Sequence, residues 1–211
     1  MSKAYEFILD RHQARFFFTP IRKKQDAVRI LLESIKIMLI YEPPGKSVQS
    51  EEKLFLKVSK MSRLVFESSE KIFTINFPFK VIIDNERLKF LTANDIELDN
   101  LLTSEALAFI SRDDTMHGED IFDFASPILD SSADNRDFWL LIRELFFYED
   151  GYLRVDHDEA NQDKDYHPLN HFDFFYSSNA TFKIGLDEKY TIDRVIDILD
   201  ITTPCHYLKL N

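Results

Sequence analysis

Apolar positions recur along this chain at two different periods, and the change of period separates helical from strand-forming stretches. From Val28, the residues Leu31, Leu32, Ile35, Met38 and Leu39 follow at three-and-four spacing, which is one stripe of a helix. Thr19-Pro20 reads as its start, a capping hydroxyl before a proline whose missing N–H is not needed in the first turn. Pro43-Pro44-Gly45 ends it. Residues 2–15 read as a shorter helix capped by Ser2, and residues 46–52 as an exposed connector.

Period two then takes over. Leu54, Leu56 and Val58 alternate, followed by apolar runs at 64–66, 72–77, 79–83 and 88–91, with turn chemistry at Asp84-Asn85. This predicts a meander of antiparallel strands. Helical spacing returns over 95–111 through Ile96, Leu101, Leu102, Leu107 and Ile110. Residues 112–120 are polar loop, and 121–133 are ambiguous, with Ser126-Pro127 able to start a short helix. A further helix is predicted over 135–147, capped by Asn135, with Trp139, Ile142 and Phe146 on one face and Asp150-Gly151 turning out of it.

The last third carries strands at 152–156 and 171–177, with an acidic loop, Asp158 to Tyr166, between them. Ser178-Asn179 turns into a hairpin strand over 181–186. A short helix follows over 191–199, with Ile192, Val195, Ile196 and Leu199 inward, and His206 to Leu210 add a last strand. Strands in runs, not alternating with helices, specify an α+β fold: antiparallel sheets with flanking helices and a C-terminal β-hairpin followed by a short helix. The expected organisation is a single domain over 1–211, with lobes 1–111 and 135–211 joined by 112–134.

Alternation also sorts the last strands by face, because successive side chains point to opposite sides. Leu153, Val155, Phe172, Phe174, Tyr176, Phe182, Ile184 and Leu186 go inward. Arg154, Asp156, His171, Asp173, Phe175, Thr181, Lys183 and Gly185 go the other way. If the three strands are neighbours, Arg154, Asp156, His171, Asp173 and Lys183 converge on one open polar face. Asp156, His171 and Asp173 are then candidate ligands for a divalent cation such as Mg²⁺. His171 beside Asp173 suits a general base, Arg154 a phosphate clamp and Lys183 a group that steadies developing charge. The same set equally describes opposite charges decorating a solvated sheet face.

His167 and His171 stand at H-x3-H spacing, but Pro168 blocks the helix on which that spacing binds zinc. His167 is held extended by the proline and is placed to point back over the polar face. The loop carrying Asp158, Glu159, Asp163 and Asp165 lacks the glycine of a calcium loop. No phosphate-loop, dinucleotide or serine-hydrolase motif occurs, so no organic cofactor is implied. Consecutive aromatics at Phe16-Phe17-Phe18 and Phe146-Phe147-Tyr148 cannot all face one side. They require either a core on two sides or a docking patch.

Composition narrows the classes. Apolar residues form 45% of the 211, 20 of them Phe, which is ample for a packed core. The net charge of −11 repels phosphate at long range and disfavours nucleic-acid binding unless a metal or a local basic groove assists it. It suits docking on a basic protein partner, including by a protein that mimics DNA. The single cysteine, Cys205, permits no internal disulfide and suits a reducing cytoplasm. No apolar run is long enough to span a bilayer, and Met1 to Asp10 lacks the apolar core of a signal peptide. The expected setting is intracellular, with no membrane association and the oligomeric state left open.

The segments RVDHD (Arg154 to Asp158), HPLNHFD (His167 to Asp173) and TFKIGL (Thr181 to Leu186) resemble uncharacterised bacterial proteins. Those families have domains of unknown function ending in an R-x-D strand, an H-P-x-x-H turn, a hairpin strand and a short helix. The resemblance covers roughly residues 150–200, and some such families lie near phage-defence genes. It implies a bacterial or phage origin and a role in the conflict between the two, and it assigns no activity to any residue. Two functions from different classes are therefore expected. The first is an accessory or interaction protein of a phage-defence or toxin–antitoxin type system, acting through a protein partner. The alternative is a metal-dependent nuclease that uses the polar sheet face.

Overall fold

The computed structural model describes residues 3–42, 51–85, 87–111 and 136–208. Within them the fold is α+β, with mostly antiparallel sheet. The elements run β1 (Lys3–Ile8), α1 (Arg11–Phe17), α2 (Lys24–Ile40), β2 (Lys53–Val58), β3 (Arg63–Glu67), β4 (Lys71–Asn76), β5 (Lys80–Asp84) and β6 (Arg87–Leu91). They continue with α3 (Asn100–Ile110), α4 (Arg136–Phe147), β7 (Leu153–His157), β8 (Asn170–Phe174), β9 (Phe182–Gly185) and α5 (Ile192–Ile198).

The chain forms two compact units that interleave in sequence. One comprises Met1–Phe16, Val48–Asn76 and Gly151–Asn211, the other Phe17–Ser47 and Phe77–Asp150. The segment 112–134, expected to join two lobes, lies outside the described residues. The first unit is a seven-stranded sheet in the order β1-β2-β3-β4-β7-β8-β9, every pair antiparallel. The expected meander therefore holds only from β2 to β4. After β4 the chain leaves for the other unit, and β7 takes the next place in the sheet.

One face of this sheet is apolar across its second half. Val65, Ile72, Leu153, Val155 and Phe172 form a buried cluster with Val195 of α5, flanked by Ile184, Ile192, Ile196 and Leu199. The inward stripe read for the C-terminal helix is thus the stripe that packs. On the opposite face, Leu54, Leu56, Leu64, Phe66 and Ile75 are fully buried, and Phe66 stacks on Phe73. That face turns polar from Lys71 of β4 into β7.

The second unit packs α2, α3 and α4 with a separate two-stranded sheet, β5-β6. Val28, Leu31, Leu32, Ile35 and Met38 of α2 are buried as the periodicity requires. In α4 the buried stripe is Phe138, Leu141, Ile142 and Leu145, with Trp139 and Phe146 only partly covered. Phe147 is exposed beside them, and Phe17 of the other aromatic run is fully buried.

Local capping explains the shifted boundaries. Residues 2–15 are not one helix but β1 followed by α1. Asp10 Oδ1 accepts from the N–H groups of His12 and Gln13, while Gln13 Oε1 accepts from Asp10 N–H, a reciprocal cap that starts α1 there. The helix expected from Thr19-Pro20 begins at Lys24, because Asp26 accepts from the N–H groups of Arg22 and Lys23 and fixes the first turn. Asp99 caps α3 by accepting from Leu102 N–H at 2.7 Å, which leaves Ile96 outside it. Residues 206–208 are not strand. The caps read at Ser2 and Asn135, the stop at 43–45 and the stretches 112–133 and 209–210 lie outside the described residues.

Arg63 holds together the two points where the chain leaves and re-enters the sheet. Its guanidinium donates to Thr74 Oγ1, Asn76 Oδ1 and the Gly151 carbonyl, and burial pushes its pKa down to about 10. Gly151 has φ +51°, and a Cβ there would lie 2.7 Å from Asn76 Nδ2. Gly151→Ala is therefore expected to cost about 1–3 kcal/mol from backbone strain and the displaced amide. Urea unfolding monitored by circular dichroism would measure it, and an unchanged midpoint would contradict the assignment.

Candidate functional site

Three neighbouring strands bring the predicted polar residues together. The β7-β8 register sets Arg154 opposite Asp173 and Asp156 opposite His171, and the β8-β9 register sets Lys183 opposite Asp173 and Gly185 opposite His171. All five side chains expected to converge do so. The face is not open, however. His171 is fully buried, Asp173 is 3% exposed and Asp156 8%.

The turn before β8 supplies part of the cover. His167 packs edge-on against His171, with ring centroids 4.6 Å apart, and so points back over the polar face. Pro168 lies so close to Gly185 that a Cβ there would meet Pro168 Cγ at 3.0 Å. The Pro168 carbonyl accepts a 2.7 Å hydrogen bond from His171 Nδ1–H, which fixes the tautomer with its lone pair on Nε2. That lone pair is already used. Lys183 Nζ donates to it at 2.9 Å and reaches Asp173 Oδ1 and Oδ2 at 2.7 and 2.9 Å.

Arg154 completes the network. Its Nη2 donates to Asp173 Oδ2, and its Nε lies 2.8 Å from Asp156 Oδ2 without the alignment of a hydrogen bond. Burial alone would raise the Asp173 pKa, but the hydrogen bonds from Lys183 and the charges of Arg154 and Lys183 outweigh it. The carboxyl is held well below the usual range. Burial likewise opposes the charge on Arg154, while Tyr152, Asp156 and Asp173 push its pKa up.

Two cations, Arg154 and Lys183, stand against two carboxylates, Asp156 and Asp173. Asp156, His171 and Asp173 each offer a ligand atom within 4.8 Å of the others, the grouping a divalent cation requires. The ammonium of Lys183 contacts two of those three ligands. A metal would have to displace it. Asp156 Oδ1, Arg154 Nε and His167 Nε2 are each buried without a hydrogen-bond partner. The H-x3-H pair does not form a ligand set, since His171 spends Nδ1 on Pro168 and His167 Nε2 lies 3.2 Å from Asp158.

Alternation fails at one residue. Phe175 has φ +61°, a left-handed conformation that is strained for a bulky side chain. The flip puts Phe175 beside Phe182, with centroids 6.2 Å apart, and turns Tyr176 onto Tyr152, on the Arg154 side. The two side chains thus exchange the faces expected of them. Sequence reasoning also missed a groove of about 610 Å³ whose lining includes Lys53, Glu67, His157, Lys189 and Tyr190. Burial raises the Glu67 pKa there, with Lys53 opposing and Glu6 and Asp193 adding to the rise. These residues come from separate strands and a helix start, and no spacing in the chain links them.

No protein-family model, curated protein or solved structure matches this chain. Among the described residues, no helix is long and apolar enough to cross a membrane.

The depressed pKa of Asp173 makes a pH prediction. A carboxyl whose folded pKa lies below its unfolded value of about 3.9 contributes stability that is fully present above that value. The contribution is lost as pH falls through the folded pKa. Asp173→Asn should therefore lower the melting temperature at pH 7, and the gap to the wild type should narrow below about pH 4. A gap independent of pH, measured by thermal melts from neutral to acid, would show that Asp173 is not the titrating member.

Proposed function

We propose that this protein is an accessory or interaction protein of a bacterial phage-defence or toxin–antitoxin type system, working in the cytoplasm by docking on a basic protein partner. The observation that carries the reading is the closure of the polar cluster. Its two carboxylates are neutralised by Lys183 and Arg154, and those cations are its most exposed members, so no carboxylate pair is presented to a substrate-bound metal. Exposed acidity lies instead in the β7-β8 loop, where Glu159 stands 3.3 Å from His157, Asp163 accepts from the N–H groups of Asp165 and Tyr166, and Asp165 and Tyr166 are exposed beside them. Acidic side chains around an exposed aromatic suit a basic surface, because the ring supplies contact area and the charges supply steering. The double charge reversal Glu159→Lys with Asp165→Lys should abolish stoichiometric retention of such a partner on the immobilised protein, and about 0.5 M salt should weaken wild-type retention. Identical capture by both forms would sink the loop as the docking element.

One observation favours a second reading, a metal-dependent nuclease: the buried Asp156 Oδ1 lacks a partner beside ligand atoms of His171 and Asp173. In that reading Asp156, His171 and Asp173 would hold Mg²⁺ or Mn²⁺, and Lys183 and Arg154 would be the groups that meet the phosphate. Plasmid and RNA degradation with each metal separates the two readings. A nuclease predicts cleavage that falls at least about a hundredfold in Asp173→Ala and in His171→Ala. The interaction reading predicts no cleavage by any of the three proteins.

A further inference from the structure

The sheet of the first unit ends in two edges, and they are not protected alike. Unpaired N–H and C=O groups on an edge strand are a template for another strand, and exposed charges are the usual guard. β1 carries exposed Lys3 and Glu6. β9 carries one charge, Lys183, and the network has drawn it onto Asp173 and His171. What β9 exposes instead is Phe182, about half exposed, stacked on Phe174 at 4.9 Å with Phe175 beside it.

The hydrogen-bond parity of β9 is defined. Leu186 N–H donates to the Asn170 carbonyl at 2.8 Å, so by alternation Ile184 and Phe182 direct their backbone groups to β8. Those of Lys183 and Gly185 point outward. A second copy approaching antiparallel about a two-fold axis normal to the sheet must match faces, which centres the axis on Lys183 or on Ile184. Centring on Lys183 sets two lysines opposite each other, an unfavourable pair. Centring on Ile184 sets Lys183 opposite Gly185, Phe182 opposite Leu186 and Ile184 opposite itself. Flanking Asp187 then meets Thr181, and no carboxylate faces another.

We propose that a second copy of this chain pairs with β9 across a two-fold axis at Ile184, joining the two sheets into one. The pairing is isologous and leaves no outward group of Lys183 or Gly185 unmatched. The net charge of −11 does not forbid it, because repulsion beyond about 8 Å is screened at physiological salt and the contact itself opposes no like charges. So short a strand with its rings buries less than a standard interface of about 1,600 Å², so a weak, reversible dimer is expected.

Sedimentation equilibrium of the full chain from about 1 to about 100 µM tests the association. The expected result is a reversible monomer–dimer equilibrium that Phe182→Lys shifts at least tenfold towards monomer, with an unchanged circular dichroism spectrum. Disulfide trapping tests the register. In a Cys205→Ser background, Ile184→Cys should cross-link to itself, because a non-hydrogen-bonded pair brings Cα atoms to about 4.5 Å. Thr181→Cys should not, since it lies opposite position 187. A monomer throughout would overturn the proposal and leave the β9 edge to a strand of another protein. A dimer that Phe182→Lys leaves intact and Ile184→Cys fails to trap would overturn it as well.

Discussion

A carboxylate taken out of water has to be met by cations or give up its charge, and Asp173 is met by two. Lys183 comes from the strand on one side and Arg154 from the strand on the other. Both pairings exist only in the observed register, and a slip of one residue would send each charge into the apolar face covered by α5. The network therefore specifies how β7, β8 and β9 align more than it adds to stability, since the desolvation of four charges offsets much of their attraction. His171 extends the specification into the preceding turn through Pro168. The same closure argues against the cluster as a ready-made metal site.

The convergence of these five residues was legible because strand alternation is rigid and the apolar residues on either side leave no choice of face. Their burial was not legible. An alternating strand reads the same whether its polar face meets water or the rest of the protein; Pro168 placed His167 back over the face, but nothing local said that this turn would help close it. Phe175 marks a second limit, because nothing in HFDFFYS announces a left-handed residue, and that one residue exchanges the faces of Phe175 and Tyr176. At the N-terminus the signal was present and unread. Asp10 and Gln13 stand at capping-box spacing, and that cap separates β1 from α1.

Unit boundaries were the hardest to anticipate, for a reason of topology. Strand order was expected to follow chain order, which held through β4 and again from β7 to β9. Nothing local says that β7 pairs with β4 while β5 and β6 pair only with each other. Arg63 is the residue most dependent on this arrangement. Arg63 is buried because its three acceptors come from β4 and from the return point at Gly151.

The insertion of Phe77–Asp150 between adjacent strands sets a timetable during synthesis. When β4 leaves the ribosome its outer edge has no partner, and β7 arrives only after the intervening segment has been translated. At about 5–20 residues per second that delay is on the order of ten seconds. For that interval Phe73, Ile75 and their neighbours form the rim of an unfinished sheet. Chaperone dependence of a nascent chain halted at this stage, and aggregation of fragments that end before Gly151, are the liabilities of building one sheet from two separated stretches of sequence.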